Sequence, residues 1–417
     1  VLLLVSTLII RIDSTYVRPN IKVLNRGGLF RATVSLFLRN LAREMPMYVG
    51  ELDRRLRARY DESLKIGYDP LEQAKPAKRY RMLTVMAREA EFLVGRFRHD
   101  PNVYGMETFK ILGRLVREQV VVLPAGEGRD REVLLKDPRD VAADSLQSPF
   151  DTGATYRGGK KKVKGRKIQL AENCSETRKS DLREPFLSLV VYARTEGAHV
   201  SDAHAIEGLL EFLARMNVRV KFVLGDNARN TPENRGLVKA AGGELVTSVH
   251  GGLKDPAGEE EAEGEPRLTL KLFRTDERGA VTECPQGQKV GTAEMSKAGD
   301  AWNVHFDWSV CRACRCRELC PVKIGQRRGA SMRYTLASLE AARNRLWNER
   351  PENVRLARQR NGAEALMSQG KRGQGIGRLR VRGTRMVEAV NFLKILGLNI
   401  MRLADYLRQR RKLRLVT

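Results

Sequence analysis

Arg358-Gln359-Arg360-Asn361-Gly362-Ala363-Glu364-Ala365-Leu366-Met367-Ser368-Gln369-Gly370-Lys371-Arg372 is the stretch from which the rest of the chain is read. It holds one carboxylate, Glu364, among arginines and lysines, and Gly373, Gly375 and Gly377 follow it. A carboxylate among cations is ordinarily a surface ion pair. The spacing sets a second reading beside that one. Arg360 precedes Glu364 by one helical turn, on the same helix face, and Lys371 lies two turns further along that side. One acid and two bases aimed in one direction suit a site that binds metal and phosphate together. Such a site needs partner carboxylates on strands elsewhere in the chain.

Composition narrows the partner. The 417 residues carry 76 Lys and Arg against 50 Asp and Glu, a net charge of +26. That balance points to a polyanion, most simply nucleic acid. Aromatic residues make up only 6%, which argues against single-strand binding built mainly on stacked bases. A hydrophobic content of 42% excludes a wholly disordered basic tail. The six cysteines are uneven, with Cys311, Cys314, Cys316 and Cys320 close together. Without a secretory signature they read as reduced, metal-binding or buried thiols and not as disulfides. The opening run Val1–Ile10 is too short to span a bilayer, which takes about 20 residues. It also has no basic flank, so neither a membrane nor a secretory destination is expected.

Two partner carboxylates emerge in chain order. The β-branched run through Ile9-Ile10-Arg11-Ile12 predicts a first strand with Asp13 at its C-terminal end. Apolar residues at helical spacing then fill 28–65, 71–97 and 106–122. A basic, Gly-containing run, including Lys160, Lys161, Lys162 and Lys164, precedes a predicted strand over 168–172. Phosphate contact and a solvated loop both remain open for it. Strands over 186–193, 218–224 and 244–249 alternate with helices over 202–216 and 232–241, the latter capped by Thr231. The strand predicted over 218–224 runs into Gly225-Asp226. Alternation of this kind indicates an α/β domain with a mixed sheet, in which ligands gather at the carboxyl ends of strands. Asp13 and Asp226 therefore supply the carboxylates that Glu364 needs. An acidic loop, Glu259 to Glu265, reads as a solvated linker, and short strands over 268–273 and 302–306 follow it. A helix over 336–347 leads toward Glu364. A last helix over 385–407 has the apolar stripe Val387, Val390, Phe392, Leu393, Leu396, Ile400, Leu403 and Leu407, expected to be core.

With these residues in view, the chain resembles the DDE transposases of bacterial insertion sequences. Ile12-Asp13-Ser14-Thr15 resembles the family's first-strand motif. Ser148-Pro149-Phe150-Asp151, Thr155-Tyr156 and the stretch through Lys167 to Glu172-Asn173-Cys174 resemble the hairpin after it. Leu224-Gly225-Asp226 stands at the second catalytic Asp, and Asn361 to Gly370 resembles the segment with the catalytic Glu. Arg360, Glu364 and Lys371 fit the family's Arg/Glu/Lys signature, and Gly377 to Gly383 and the final helix with Asn399 continue the match. Three places depart from the pattern: Ala357 replaces a Tyr, Asn227-Ala228-Arg229 replaces Ala-Gly-Tyr, and Gly165-Arg166-Lys167 replaces Gly-Tyr-Lys.

The resemblance implies an RNase H-like α/β fold with a mixed sheet, a helical insert after the first strand and a small Cys-containing β insert before the C-terminal helices. The expected segments are 1–15, 16–138, 139–252, 253–330 and 331–417. It implies that Asp13, Asp226 and Glu364 hold Mg²⁺ or Mn²⁺. Two such ions, about 3.5–4 Å apart, activate the attacking oxygen and stabilise the leaving one. Arg360 and Lys371 would hold phosphates, with Arg378, Arg380 and Arg382 joining them on duplex DNA. It further implies a homodimer at the bacterial nucleoid, truncated at its N-terminus. Cys284, Cys311, Cys314 and Cys320 have spacing suited to a structural Zn²⁺, with Cys316 a fifth candidate. The five His residues are scattered, and no G-x4-G-K-[ST] loop appears, so a nucleotide-driven motor is unsupported. The alternative is a non-enzymatic, basic nucleic-acid-binding protein with a zinc-ribbon-like module.

Overall fold

The computed structural model describes residues 9–61, 75–124, 132–159, 162–177, 184–247, 268–326 and 329–414. β1 (Ile9–Val17) opens it. A helical block follows: α1 (Arg26–Glu44), α2 (Pro46–Gly50), α3 (Arg54–Asp61), α4 (Pro76–Phe97), α5 (Pro101–Tyr104) and α6 (Glu107–Gln119). The hairpin of β2 (Val120–Leu123) and β3 (Glu132–Leu135) closes that block. Next come β4 (Thr155–Arg157), β5 (Val163–Asn173), β6 (Val190–Gly197), α7 (Ala205–Arg215), β7 (Phe222–Gly225), α8 (Pro232–Ala240) and β8 (Glu244–Thr247). The Cys-bearing part holds β9 (Arg274–Thr275), β10 (Val281–Glu283), β11 (Thr292–Met295), β12 (Ala301–Phe306), α9 (Trp308–Ala313), β13 (Lys323–Ile324) and β14 (Ala330–Thr335). Four helices end the described chain: α10 (Leu336–Asn348), α11 (Pro351–Gln359), α12 (Gly362–Arg372) and α13 (Thr384–Arg414). The fold is mixed α/β with parallel and antiparallel pairing. Among the described residues, no helix is long and apolar enough to cross a membrane.

The chain divides into two compact units. The first comprises Val1–Ile12, Glu172–Ser188 and Ala203–Ala363. In it β7 lies parallel between the start of β1 and β8, with Arg11 opposite Leu224 and Leu224 opposite Val246. Ile9, Leu224, Val246, Cys174 and Leu356 form the core of this small sheet. Thr231 caps α8 by accepting from the Asn234 backbone N–H at 3.2 Å, as its sequence position predicts. The Cys-bearing part has its own apolar centre, with Phe273 and Phe306 packed edge to face around Val304 and Tyr334. The strand expected over 268–273 is instead a 3₁₀ turn at Leu270–Leu272 before the short β9. The acidic loop Glu259 to Glu265 lies outside the described residues.

The second unit comprises Asp13–Ala171, Leu189–Asp202 and Glu364–Thr417. Its helical block packs Phe37 against Phe97 and Phe109, with ring centroids 6.0 and 5.7 Å apart. In its sheet part, β4 runs antiparallel to β5, and β6 also pairs with β5. Ile168, Leu170 and Val190 form one core with Leu366 and Met367 of α12 and Val387, Ile395 and Leu398 of α13. The Asn399 side chain locks α13 onto β6: it accepts from the Val190 N–H at 2.9 Å and donates to the Val190 carbonyl at 2.8 Å. Gly165 is required where β5 passes β1. Its φ is +153° and an added Cβ would lie 2.7 Å from the Val17 carbonyl.

Two expectations about elements need correction. Asp13 lies in the middle of β1, which continues to Val17, and not at its end. The cause is visible in the sequence: Thr15, Tyr16 and Val17 are themselves strand formers, and Thr15 and Val17 are buried. The apolar stripe read on the last helix is mostly outward. Val387 is buried, whereas Phe392, Leu393, Leu396, Ile400, Leu403 and Leu407 are exposed. The core instead takes Asn391, Ile395 and Leu398 from the other side of the helix.

Candidate active site

Glu364 sits in the first turn of α12. Ala363, Leu366 and Met367 are buried and fix the helix, which leaves Glu364 and Lys371 exposed. Both lie on α12 and share a side of it, as expected. Arg360 does not belong to that helix. It is the C-cap of α11, and the chain turns at Asn361 before α12 begins. Its Nε is buried and has no hydrogen-bond partner among the described residues.

The α11–α12 junction is held by a charge pair that the sequence reading missed. Arg11 of β1 donates from Nε to Glu172 Oε1 at 2.7 Å and from Nη1 to the Gln359 carbonyl at 2.8 Å. The Glu172 side chain is fully buried and also accepts from Ser188 Oγ at 3.2 Å. An added Cβ on Gly362 would lie 1.8 Å from Arg11 Nη1. The helix bearing Glu364 therefore starts at a glycine because the Arg11 guanidinium fills that space. An arginine inside an otherwise apolar strand was the available signal.

Asp226 follows the end of β7, where the sequence places it. Its Oδ1 accepts from Arg229 Nη1 at 2.7 Å, and Arg229 is fully buried. Asparagines surround this turn. Asn234 donates to the Arg229 carbonyl at 2.8 Å, and Asn230 donates to Thr247 Oγ1 at 3.0 Å. Asn344 of α10 donates to Asn230 Oδ1 at 3.0 Å. Asp13 is half-buried in β1 and accepts from the Ser14 N–H at 2.8 Å.

The basic run of the β4–β5 hairpin divides by burial. Lys160 and Lys161 lie outside the described residues, and Lys162 is exposed. Lys164 is half-buried and donates to the Leu24 carbonyl at 2.5 Å, and burial holds its pKa below the usual lysine value. Arg166 and Lys167 are buried and paired with acids, so they are not phosphate contacts. Arg166 meets Asp151 at 2.5 Å, and Lys167 meets Asp202 at 2.7 Å and Glu196 at 3.3 Å. Asp151 also accepts from the Gly383 N–H at 3.0 Å, ahead of α13. Arg378, Arg380 and Arg382 are all exposed, on a segment paired beside residues 18–20. Between them Leu379 is buried and Val381 half-buried. In the same unit a cavity of about 730 Å³ has Arg18, Lys22, Arg26, Arg31, Lys162 and Lys164 in its wall. No carboxylate lines it among the described residues.

Residues 283–404 match the family model described as the transposase DDE domain. Over this part the chain is similar to the DDE transposases. The matched stretch contains Glu364, Lys371 and the Arg378–Arg382 row, together with all five clustered cysteines. No curated protein and no solved structure matches the chain. The match supports a transposase in general, and domains of this kind act on DNA.

DDE transposase domains generally use divalent metals, and the donor chemistry of the three acids suits one. Carboxylate oxygens are hard ligands, and Asp13, Asp226 and Glu364 all retain exposure. Among the described residues, however, no three Asp, Glu, His or Cys side chains are grouped to hold an ion. The same holds for the thiols. Cys284, Cys311, Cys314, Cys316 and Cys320 line one cavity of about 70 Å³ without forming a ligand cage. Burial, and then the neighbouring Cys320, Cys284 and Cys314, push the Cys311 thiol up to about 11. Burial raises the Cys320 thiol as well.

Proposed function

We propose that the chain is a DNA transposase with an RNase H-like catalytic core, acting by metal-dependent strand cleavage followed by strand transfer. The observation that carries this reading is the family match over 283–404, which encloses Glu364 and the basic residues after it. Asp13 and Asp226 supply the remaining acids, with Mg²⁺ or Mn²⁺ as the cofactor. A bound divalent ion would polarise the scissile phosphate and lower the pKa of the attacking water. The residues of the chain do the rest. Lys371, Arg360, Lys162, Lys164, Arg378, Arg380 and Arg382 neutralise and orient DNA phosphates. The guanidinium of Arg229 neutralises Asp226 until the carboxylate is engaged. Cys284, Cys311, Cys314 and Cys320 are proposed to close on one structural Zn²⁺ once deprotonated. A homodimer on duplex DNA at the bacterial nucleoid completes the reading.

The Arg229–Asp226 ion pair favours one competing reading, a DNA-binding protein that does not cut. A nicking assay on supercoiled DNA with Mg²⁺ or Mn²⁺ separates the two. Cleavage that is lost in Asp226→Asn while DNA binding persists supports the transposase. Binding without cleavage in either metal supports the competitor.

A further inference from the structure

α13 has an apolar face that no described residue of its own unit covers. Val387, Asn391, Ile395 and Leu398 are buried on one side of the helix. About half a revolution away, Met386, Leu393, Leu396, Ile400, Leu403 and Leu407 stand 54, 63, 46, 59, 36 and 57% exposed. A helix packed on a globular core needs one apolar side, and this one has two.

The outer side has the register of a helix pair. Met386, Leu393, Ile400 and Leu407 recur every seven residues, and Leu396 and Leu403 stand three after the second and third of them. The exposed Ala389 holds the same place after Met386. That is an a/d pattern through three heptads, the periodicity of a coiled-coil seam. It extends over about 32 Å of helix. We propose that this face pairs with α13 of a second copy of the same chain.

Charge argues for that occupant. Two chains of net charge +26 repel over most of their surfaces. The seam is different. No a or d position from Met386 to Leu407 is charged, and the flanking Val390, Phe392, Gly397 and Ala404 are neutral too. The charged residues of this stretch, Glu388, Lys394, Arg402 and Asp405, fall outside the seam. A stripe of this kind is complementary to itself, as a two-fold interface requires. A strongly acidic partner would leave its charge unmatched there. The inference deepens the dimer of the proposed function by naming its surface, and its test does not involve cleavage.

Sedimentation velocity of the full chain without DNA, in high salt and at micromolar concentrations, tests it. The expected species has twice the mass of one chain. Leu393→Glu with Ile400→Glu is expected to weaken self-association by at least about a hundredfold. Both positions are exposed on the single chain, so the variant should still melt cooperatively, at the temperature shown by wild type diluted until it is monomeric. Ile395→Glu, on the buried side, should lower the melting transition and marks what damage to the fold looks like. Glu388→Lys should leave the dimer intact. A monomeric wild-type chain, or a Leu393→Glu/Ile400→Glu variant that dimerises as well as wild type, overturns the proposal. Neither result alters the nicking assay, so the transposase reading is judged separately.

Discussion

Replacing Gly362 by Ala tests how the Glu364 helix is positioned. A Cβ there would lie 1.8 Å from Arg11 Nη1, 2.2 Å from Cζ and 2.5 Å from Nη2. Ordinary carbon contacts start near 3.5 Å, so the guanidinium has to retreat by more than an ångström. It then loses hydrogen bonds of 2.7 Å to Glu172 and 2.8 Å to the Gln359 carbonyl. The Glu172 side chain is fully buried. Breaking a buried pair by removing one partner costs about 3–5 kcal/mol. The loss here is partial, because Arg11 is displaced and not deleted, and helix propensity returns up to about 1 kcal/mol on changing Gly to Ala. The expected net destabilisation is about 2–3 kcal/mol, read from urea unfolding. The same substitution in an Arg11→Met/Glu172→Gln background should cost less than about 1 kcal/mol, since nothing charged is left to displace. A Gly362→Ala chain within about 0.5 kcal/mol of wild type, or an equal cost in both backgrounds, would refute this account of the junction.

Other expectations follow from single features. Changing Arg378, Arg380 and Arg382 to Ala should reduce the salt dependence of duplex binding by up to about three phosphates and weaken binding equally on unrelated sequences; a titration on two duplexes checks it, and a loss confined to one duplex would show base readout in this row. Burial pushes the Cys174 thiol up to about 12 from an ordinary 9, so folding favours the neutral form. Its contribution is complete below about pH 9 and fades as pH rises toward 12, amounting to a loss of about 2 kcal/mol by pH 10.5. Cys174→Ala should flatten that part of the stability–pH curve, and an unchanged slope would count against it. Metal analysis of freshly purified, reduced protein should find about one Zn²⁺ per chain, bound more tightly as pH rises because thiols must ionise; no zinc would leave plain buried thiols.

The α/β alternation was legible because strands and helices differ in hydrophobic period, and Thr231 before Pro232 marked a helix start correctly. Glu364 and Asp226 stand on the expected elements for the same reason. Three features were not legible. A period says that a helix has an apolar stripe without saying which neighbour covers it, and α13 has two. A spacing of four residues implies a shared helix face only if the helix is continuous, and the turn at Asn361 separates Arg360 from Glu364. A basic run reads as a surface, yet Arg166 and Lys167 find Asp151, Asp202 and Glu196 far away in sequence. No local pattern announces such pairs.

The departures from the transposase pattern take on a physical meaning once these pairs are known. At two of the three places, the departing residue is an arginine. Arg229 is bound to Asp226, and Arg166 to Asp151. Both arginines are buried, where an uncompensated charge would cost several kcal/mol. Each is compensated by an aspartate that already belongs to the motif. The two pairs differ in consequence. Asp151 is buried and also accepts from the Gly383 N–H, so its pair organises the approach to α13. The Asp226 side chain remains 29% exposed, so its ion pair faces solvent on one side and its carboxylate can still be approached. Arg229→Met would remove the competing cation but keep the buried volume. If Asp226 serves a metal, that variant should need less Mn²⁺ for half-maximal nicking. An unchanged metal requirement would mean that the pair does not restrain Asp226.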